Sequence, residues 1–369
     1  MFRLALLNIT KNLPRFFITL VVVGIAFSLI FIVEGFNTGL YKQETAYYEN
    51  AGADLVVMQK GTETLQTSRS VLADGLKSQI EEIRGVTSVS GIISDGVMFS
   101  KNSNKSPIIL VGVHPTSKLG KPWKIARGRQ LKDDREIVID LAFAKRNKIE
   151  LGERIKILDK EFDVAGLSRE TSSYMNPYTF VTKKAAEEVL LRDKTVSFFL
   201  VKVSEENDLN RVKDEIERKI KVAKPLTIKQ VVKTEGDFVR ELMGSPINAI
   251  LYISYIIGVL VIGLTLYTAV IEKITEYGVM KAIGAKSGQL LTFVLQQSVM
   301  STVFGFGSGI LIYAIVSNLI EYLMPQFLIV VNFEAVAKTF VIGVLMAVIA
   351  VFFPISKINR LEPAIVFKR

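Results

Sequence analysis

The chain has 369 residues, of which 49% are hydrophobic and 22% charged, with a mean hydropathy of +0.34 and a net charge of +10. Soluble proteins are rarely so apolar and plain bundles of membrane helices rarely so charged, so the two kinds of residue must occupy different stretches. The absence of cysteine excludes disulfides, thiol nucleophiles and thiolate metal sites, and the single histidine excludes a histidine-rich metal site.

Residues 1–15 open the chain with Arg3, Lys11 and Arg15, and read as a basic cytoplasmic segment. They lead into the uncharged run 16–33, which is longer than the ~7–15 residues of a signal-peptide core and has no small-x-small cleavage pattern close behind it. It is read as an uncleaved span. Three further uncharged runs lie at 242–271, 287–320 and 339–356. Crossing a ~30 Å hydrocarbon core takes roughly 20 apolar helical residues, so four transmembrane helices are expected, at 16–36, 245–271, 289–320 and 339–356. Glu34, at the outer end of the first, is read as reaching headgroup water. Small residues recur at four-residue spacing in the spans (Gly24 with Ser28, Ser301 with Gly305, Gly305 with Gly309), a pattern that lets helix backbones approach closely within or between subunits.

Between the first two spans, 37–244 is expected to form an α+β domain. Residues 41–50 read as a continuation of the first helix. A strand at 54–58, a helix at 73–84 and strands at 87–93 and 107–113 make one strand–helix–strand unit. A matching unit follows at 198–203 (strand), 208–220 (helix) and 226–231 (strand). Together they predict a split βαβ sandwich of the ferredoxin-like kind. Residues 116–194 read as a small β-rich insertion with strands at 136–140, 154–158 and 161–165 and a helix near 141–146. His114, followed by Pro115 at a strand end, reads as a turn residue.

Lysine and arginine set the orientation. The N-terminal segment, the 272–288 loop (Lys273, Lys281, Lys286) and the 357–369 tail (Lys357, Arg360, Lys368, Arg369) are basic, whereas the 321–338 loop holds only Lys338. Both termini and 272–288 are therefore expected in the cytoplasm, with the large domain outside. The net charge is too dilute for a nucleic-acid footprint. Gly284-Ala285-Lys286-Ser287 lacks the spacing of a phosphate loop, so no nucleotide site is read. No nucleophile–base pair or metal cluster is visible, and neither enzymatic chemistry nor a cofactor is expected.

The 272–288 loop carries Glu276-Tyr277-Gly278-Val279-Met280-Lys281-Ala282-Ile283-Gly284-Ala285, followed by Gln289-Leu290. This stretch is similar to the E-x-G-V-x-K-A-I-G-A signature of the FtsX/MacB superfamily of ABC-transporter permeases. Arg360-Leu361-Glu362-Pro363-Ala364-Ile365-Val366 resembles the closing R-x-x-P-A-x-x-L-R pattern of that family, with a different end. Residues 3–9 resemble its opening amphipathic helix. The resemblance implies a permease of the split type without a fused ATPase, like the DevC type or the lipoprotein-releasing permeases, in a bacterial inner membrane. Its implied partners are two copies of a separate ABC ATPase, a second permease chain (identical or paralogous), membrane lipid and a periplasmic adaptor. It further implies that Glu276, Tyr277, Gly278, Lys281, Ala282, Gly284 and Ala285 couple to the ATPase, with their apolar side in an ATPase groove. Two activities fit: export or extraction of a hydrophobic or lipid-linked substrate by mechanotransmission, or FtsX-like control of an extracellular wall hydrolase.

Overall fold

A computed structural model describes residues 13–65, 69–101, 104–173 and 176–354. The amphipathic segment at 3–9 and the closing motif at 360–366 lie outside the described residues. The chain divides into two units. One comprises Leu40–Gly244 with Met324–Phe327, and the other the rest.

The first unit is built on a mixed sheet of strands β1 (Leu55–Gln59), β3 (Val86–Lys101), β4 (Asn104–Val113), β5 (Ile125–Gly128), β6 (Glu136–Asp140), β7 (Arg154–Ile157), β8 (Lys160–Ser168), β9 (Tyr178–Thr182), β11 (Phe198–Val203) and β12 (Ala223–Thr227), with a small ladder of β2 (Leu72–Ala73) and β10 (Thr195–Val196) beside it. Its order is β12-β1-β11-β3-β4-β9-β6-β8-β5, with β7 against β8 and β3. The first four strands are antiparallel neighbours. Helix α2 (Leu76–Glu81) joins β1 to β3, and α5 (Leu209–Lys219) joins β11 to β12. Each strand–helix–strand unit thus contributes one inner and one outer strand, which is the expected split βαβ arrangement.

The 116–194 region does not form a sheet of its own. Its strand β9 pairs in parallel with β4, so the hydrogen-bonded ladder is continuous from one half to the other. Strand β6 is buried throughout and ends on Asp140, whose carboxylate accepts the N–H groups of Ala142 (2.8 Å) and Phe143 (3.3 Å) and starts α3 (Leu141–Arg146). Thr182 ends β9 and caps α4 (Lys183–Leu190) in the same way, accepting from Ala185. The strand expected at 226–231 is corrected. Thr227 Oγ1 accepts the Gln230 N–H (3.2 Å) while Gln230 Oε1 accepts the Thr227 N–H (3.0 Å). This reciprocal capping box closes β12 and starts helix α6 (Ile228–Glu272).

Glu235, in the part of α6 that belongs to this unit, is 1% exposed, and its Oε1 accepts the Leu65 N–H at 2.7 Å. Burial pushes its carboxyl up to about 7, against the pull of that hydrogen bond, and the charge of Glu44 adds to the rise. The folded state therefore holds a proton that the unfolded chain, titrating at 4.5, releases earlier. Stability is unaffected below the unfolded value, falls as pH rises from about 4.5 to 7, and is flat above. At about 1.4 kcal/mol per unit of displacement, Glu235→Gln is expected to raise stability at pH 8 by about 3–4 kcal/mol and to leave it unchanged at pH 4. Thermal melts of the wild type and the variant across that range check this.

Among the described residues four helices are long and apolar enough to cross a membrane: α1 (Leu13–Asn50), α6, α8 (Ser287–Leu323) and α9 (Phe333–Ala350), with α1 up to Gly39 and α6 from Ser245 belonging to the second unit. Helix α6 has 45 residues, about 68 Å at 1.5 Å each and more than twice a bilayer core. The unit boundary falls inside it at Gly244–Ser245, next to Pro246, which has no N–H to donate to the preceding turn. The small residues of α1 and α8 face each other within this chain. Ser308 Oγ donates to Leu20 O (2.8 Å), a Cβ on Gly24 would meet Ser308, and one on Gly309 would stand 2.6 Å from Phe27 Cβ. Ser298 Oγ donates to Ala347 O at 2.8 Å, tying α8 to α9.

Glu34 departs from expectation. It is buried, and its Oε1 accepts from Lys338 Nζ (2.8 Å) on α9 and from the Tyr255 hydroxyl (3.4 Å) on α6. Lysine is long enough to reach inward along an apolar surface, which a reading of span ends alone does not capture. Removing one partner of a fully buried pair costs about 3–5 kcal/mol, but the Lys338 side chain is 55% exposed and its share is screened. Lys338→Met is therefore expected to cost about 1–2 kcal/mol in detergent melts, and Glu34→Leu/Lys338→Met to recover most of it.

Candidate functional site

Helix α6 ends at Glu272, Lys273 turns the chain, and α7 (Ile274–Ala282) begins with the Tyr277 N–H donating to Lys273 O at 3.0 Å. The two sides of α7 differ sharply. Tyr277 is buried and its ring meets Phe293 of α8 edge-on at 6.2 Å. Burial, and then the neighbouring Glu276 charge, push its phenol up to about 12, so it is neutral at any physiological pH. Met280 packs against the same core. Glu276, Val279 and Ile283 follow at i, i+3 and i+7, a single helical face, and all three are exposed, Ile283 at 81%.

The end of α7 is a Schellman turn. The Ala285 N–H donates to Met280 O (2.9 Å) and the Gly284 N–H to Lys281 O (3.1 Å), with Gly284 at φ +101°, a backbone region that side-chain-bearing residues seldom adopt. Ala285 packs inward beside Met280. Helix α8 then starts with Gln289 Oε1 accepting the Lys286 N–H at 3.0 Å. The backbone of 284–287 is thus committed to ending one helix and starting the next.

The seven residues singled out in this loop are therefore not one surface. Tyr277 and Gly278 are buried and anchor α7 to its own bundle, and Lys281 and Ala285 are half-buried. Glu276, Ala282 and Gly284 are exposed. Val279 and Ile283 are the apolar residues offered outward, and Val279 was not among those expected. Its signal is the three- and four-residue spacing from Glu276 and Ile283. No side-chain carbon at Gly284 would meet anything within 4 Å, so this glycine serves the turn rather than a packing contact. His114 sits exposed in a turn, with Nδ1 2.9 Å from Thr116 Oγ1.

Residues 16–219 match the family of the MacB-like periplasmic core domain, and 248–363 match that of the FtsX-like permease C-terminal region. The chain belongs to the MacB and FtsX-like permease family. An ABC transporter permease of Methanocaldococcus jannaschii is 24% identical over 77% of this chain and 76% of its own length. The hemin transport system permease HrtB of Staphylococcus epidermidis is 20% identical over 94% of this chain and 95% of its own length. The macrolide export ATP-binding/permease protein MacB of Bartonella quintana is 19% identical over the whole of this chain but 59% of its own length. Among solved structures, the periplasmic region of MacB from Actinobacillus actinomycetemcomitans overlaps 50% of this chain with 13% identity and a TM-score of 0.41. This permease thus combines both family regions in the order α+β domain, then three C-terminal helices, with its α7 loop inside the FtsX-like region.

Proposed function

We propose that this permease is the membrane subunit of an ABC transporter in which a separate ATPase docks on the exposed Glu276–Val279–Ile283 face of α7. The observation that carries the reading is the division of that helix. One side is locked to the bundle through Tyr277 and Met280, and the other presents two aliphatic side chains beside a carboxylate. A face of that composition suits an apolar groove with a donor at its edge. Because the inner side is anchored, displacement of α7 by closure of an ATP-bound ATPase dimer passes into α6 and α8 rather than being absorbed by a slack loop. ATP shifts the equilibrium only through the different affinities of the two ATPase states for this face.

The cargo is proposed to be hydrophobic or lipid-linked and to be moved by mechanotransmission, with no catalysis by this chain. The names of the relatives, hemin and macrolide transporters, point the same way, toward bulky amphipathic molecules. A second permease chain completes the proposed assembly, with membrane lipid around the spans and a periplasmic adaptor on the outer domain. The orientation, both termini and α7 in the cytoplasm of an inner membrane, rests on the basic flanks. Single cysteines at Lys105 and Asn207 are expected to react with an impermeant maleimide added to whole cells, and one at Ser287 only after permeabilisation. Labelling of position 287 in intact cells overturns the orientation.

A further inference from the structure

The outer unit contains a cleft of about 320 Å³, lined by none of the residues of the α7 loop. Its place follows from the course of β3. Residues 86–92 of this strand run against β11, whereas residues 93–101 run against β4. At the changeover the ladder ends in a side-chain clasp. Ser197, just before β11, accepts the Ser94 N–H on its Oγ and donates that hydroxyl to Ser94 O, both at 3.0 Å. Beyond the clasp the two strands part, and the cleft opens in the fork.

The walls differ in chemistry. Tyr48 from α1, Tyr178 from β9 and Phe198 from β11 form an aromatic floor, each nearly buried and lining the cleft. Asp95 stands at the rim and accepts from two guanidiniums, Arg192 at 2.5 Å and Arg69 at 2.8 Å. Two cations on one carboxylate leave a net positive charge. Arg192 is tucked in, with its side chain 12% exposed, and its other contact is with Ser197. Arg69 is 72% exposed, so most of its five donors remain available to a second oxyanion. Two carboxylates, Glu44 and Glu235, lie behind the tyrosines and outside the cleft lining, and burial raises the pKa of Glu235, which limits what that group takes from the positive rim.

We propose that this cleft binds a small amphipathic anion, a carboxylate or sulfonate carrying one aromatic or similar-sized apolar group, with its anionic end on Arg69 and its ring on the Tyr48–Tyr178–Phe198 floor. The volume is at the lower end of the ~300–1,000 Å³ of small-molecule sites, which suits one ring and excludes a macrolide or a hemin. It is therefore a site distinct from any path for bulky cargo. It lies wholly in the outer unit and needs neither the ATPase nor the transport reading.

The probe is 3-phenylpropionate, with neutral 3-phenylpropanamide and cationic 3-phenylpropylamine as comparison arms. Binding is read by saturation-transfer NMR on the full-length permease in nanodiscs, with the signal from empty nanodiscs subtracted. The acid is expected to bind saturably in the low millimolar range, and the amide and the amine at least about tenfold more weakly. Two variants locate the site. A side-chain carbon at Gly96, which lines the cleft, meets nothing within 4 Å, so Gly96→Trp fills the cavity without a backbone clash and is expected to abolish binding. Arg69→Glu, at an exposed position, leaves the fold intact and is expected to weaken the acid by about tenfold or more while leaving the amide unchanged. The proposal is overturned by equal affinity for acid and amide, by wild-type binding in either variant, or by no saturable binding of the acid to the wild type.

Discussion

An Ile283→Asp permease is expected to fold and insert normally and yet to lose stimulation of its ATPase. In the isolated chain Ile283 is 81% exposed, so its replacement touches no packing, and exposed substitutions usually stay within about ±0.5 kcal/mol of wild-type stability. In the proposed complex the same position would bury an aspartate in an apolar groove. Central interface residues cost about 2 kcal/mol or more on truncation alone, a factor of about 30 in affinity, and an unpaired charge adds to that. Glu276→Lys is expected to act in the same direction, since a shielded charge-assisted hydrogen bond is worth about 1.5–3 kcal/mol. Gly284→Val should fail for another reason. A β-branched residue at φ +101° strains the Schellman turn, so α7 and the start of α8 lose their fixed relation even before docking. Melting temperature therefore separates the variants: unchanged for Ile283→Asp, lowered for Gly284→Val. ATP hydrolysis and co-purification measured on the same samples complete the comparison.

The largest effect on folding is expected at Gly39. A side-chain carbon there would fall on the carbonyl of Leu328, and the backbone on both sides is fixed, with Val330 N–H donating to Gly35 O at 3.0 Å just beyond. Overpacking that only displaces side chains costs about 1–3 kcal/mol, and a collision with backbone exceeds that range. Gly39→Ala is thus expected to cost about 4 kcal/mol or to prevent insertion. Gly244 provides the contrast. It too lies within a long helix, but an added carbon meets nothing within 4 Å, so Gly244→Ala should gain about 0.5–1 kcal/mol from the lower entropy of the unfolded chain. Expression level and detergent melting temperature report both. Equal behaviour of the two alanine variants would contradict the close approach at Gly39.

Which parts of this molecule could be read from residues alone follows from where the determining forces act. The strands at 136–140 and 198–203 and the helix at 141–146 were legible to the residue, because buried β-branched runs stop at residues with a local job, as Asp140 does by capping α3. The start of α6 was equally local, since Thr227-Ile228-Lys229-Gln230 is a capping box, but the apolar alternation of 226–231 imitates a strand. Strand β9 was harder. Tyr178–Thr182 is short, sits after a polar stretch, and is strand only because β4 and β6 flank it. The long β3 is legible only as far as Ile93, because Ser94-Asp95-Gly96 looks like a turn until β4 is there to pair with it. In the membrane unit, spans follow from hydropathy, whereas the partner of each small-residue stripe and the inward reach of Lys338 are tertiary facts. The coupling loop divides in the same way. Its motif marks the segment, but which side of α7 is outward depends on Phe293 covering Tyr277.

Contact between the outward face of α7 and the ATPase is tested most directly by a photo-cross-linking amino acid. Placed at position 283 in a permease purified with its cognate ATPase, it is expected on illumination to give a covalent permease–ATPase adduct. Placed at Leu311, 68% exposed on α8 within the span, it is expected to give none. An intact complex that yields no adduct from position 283, or an equal yield from position 311, would contradict the account.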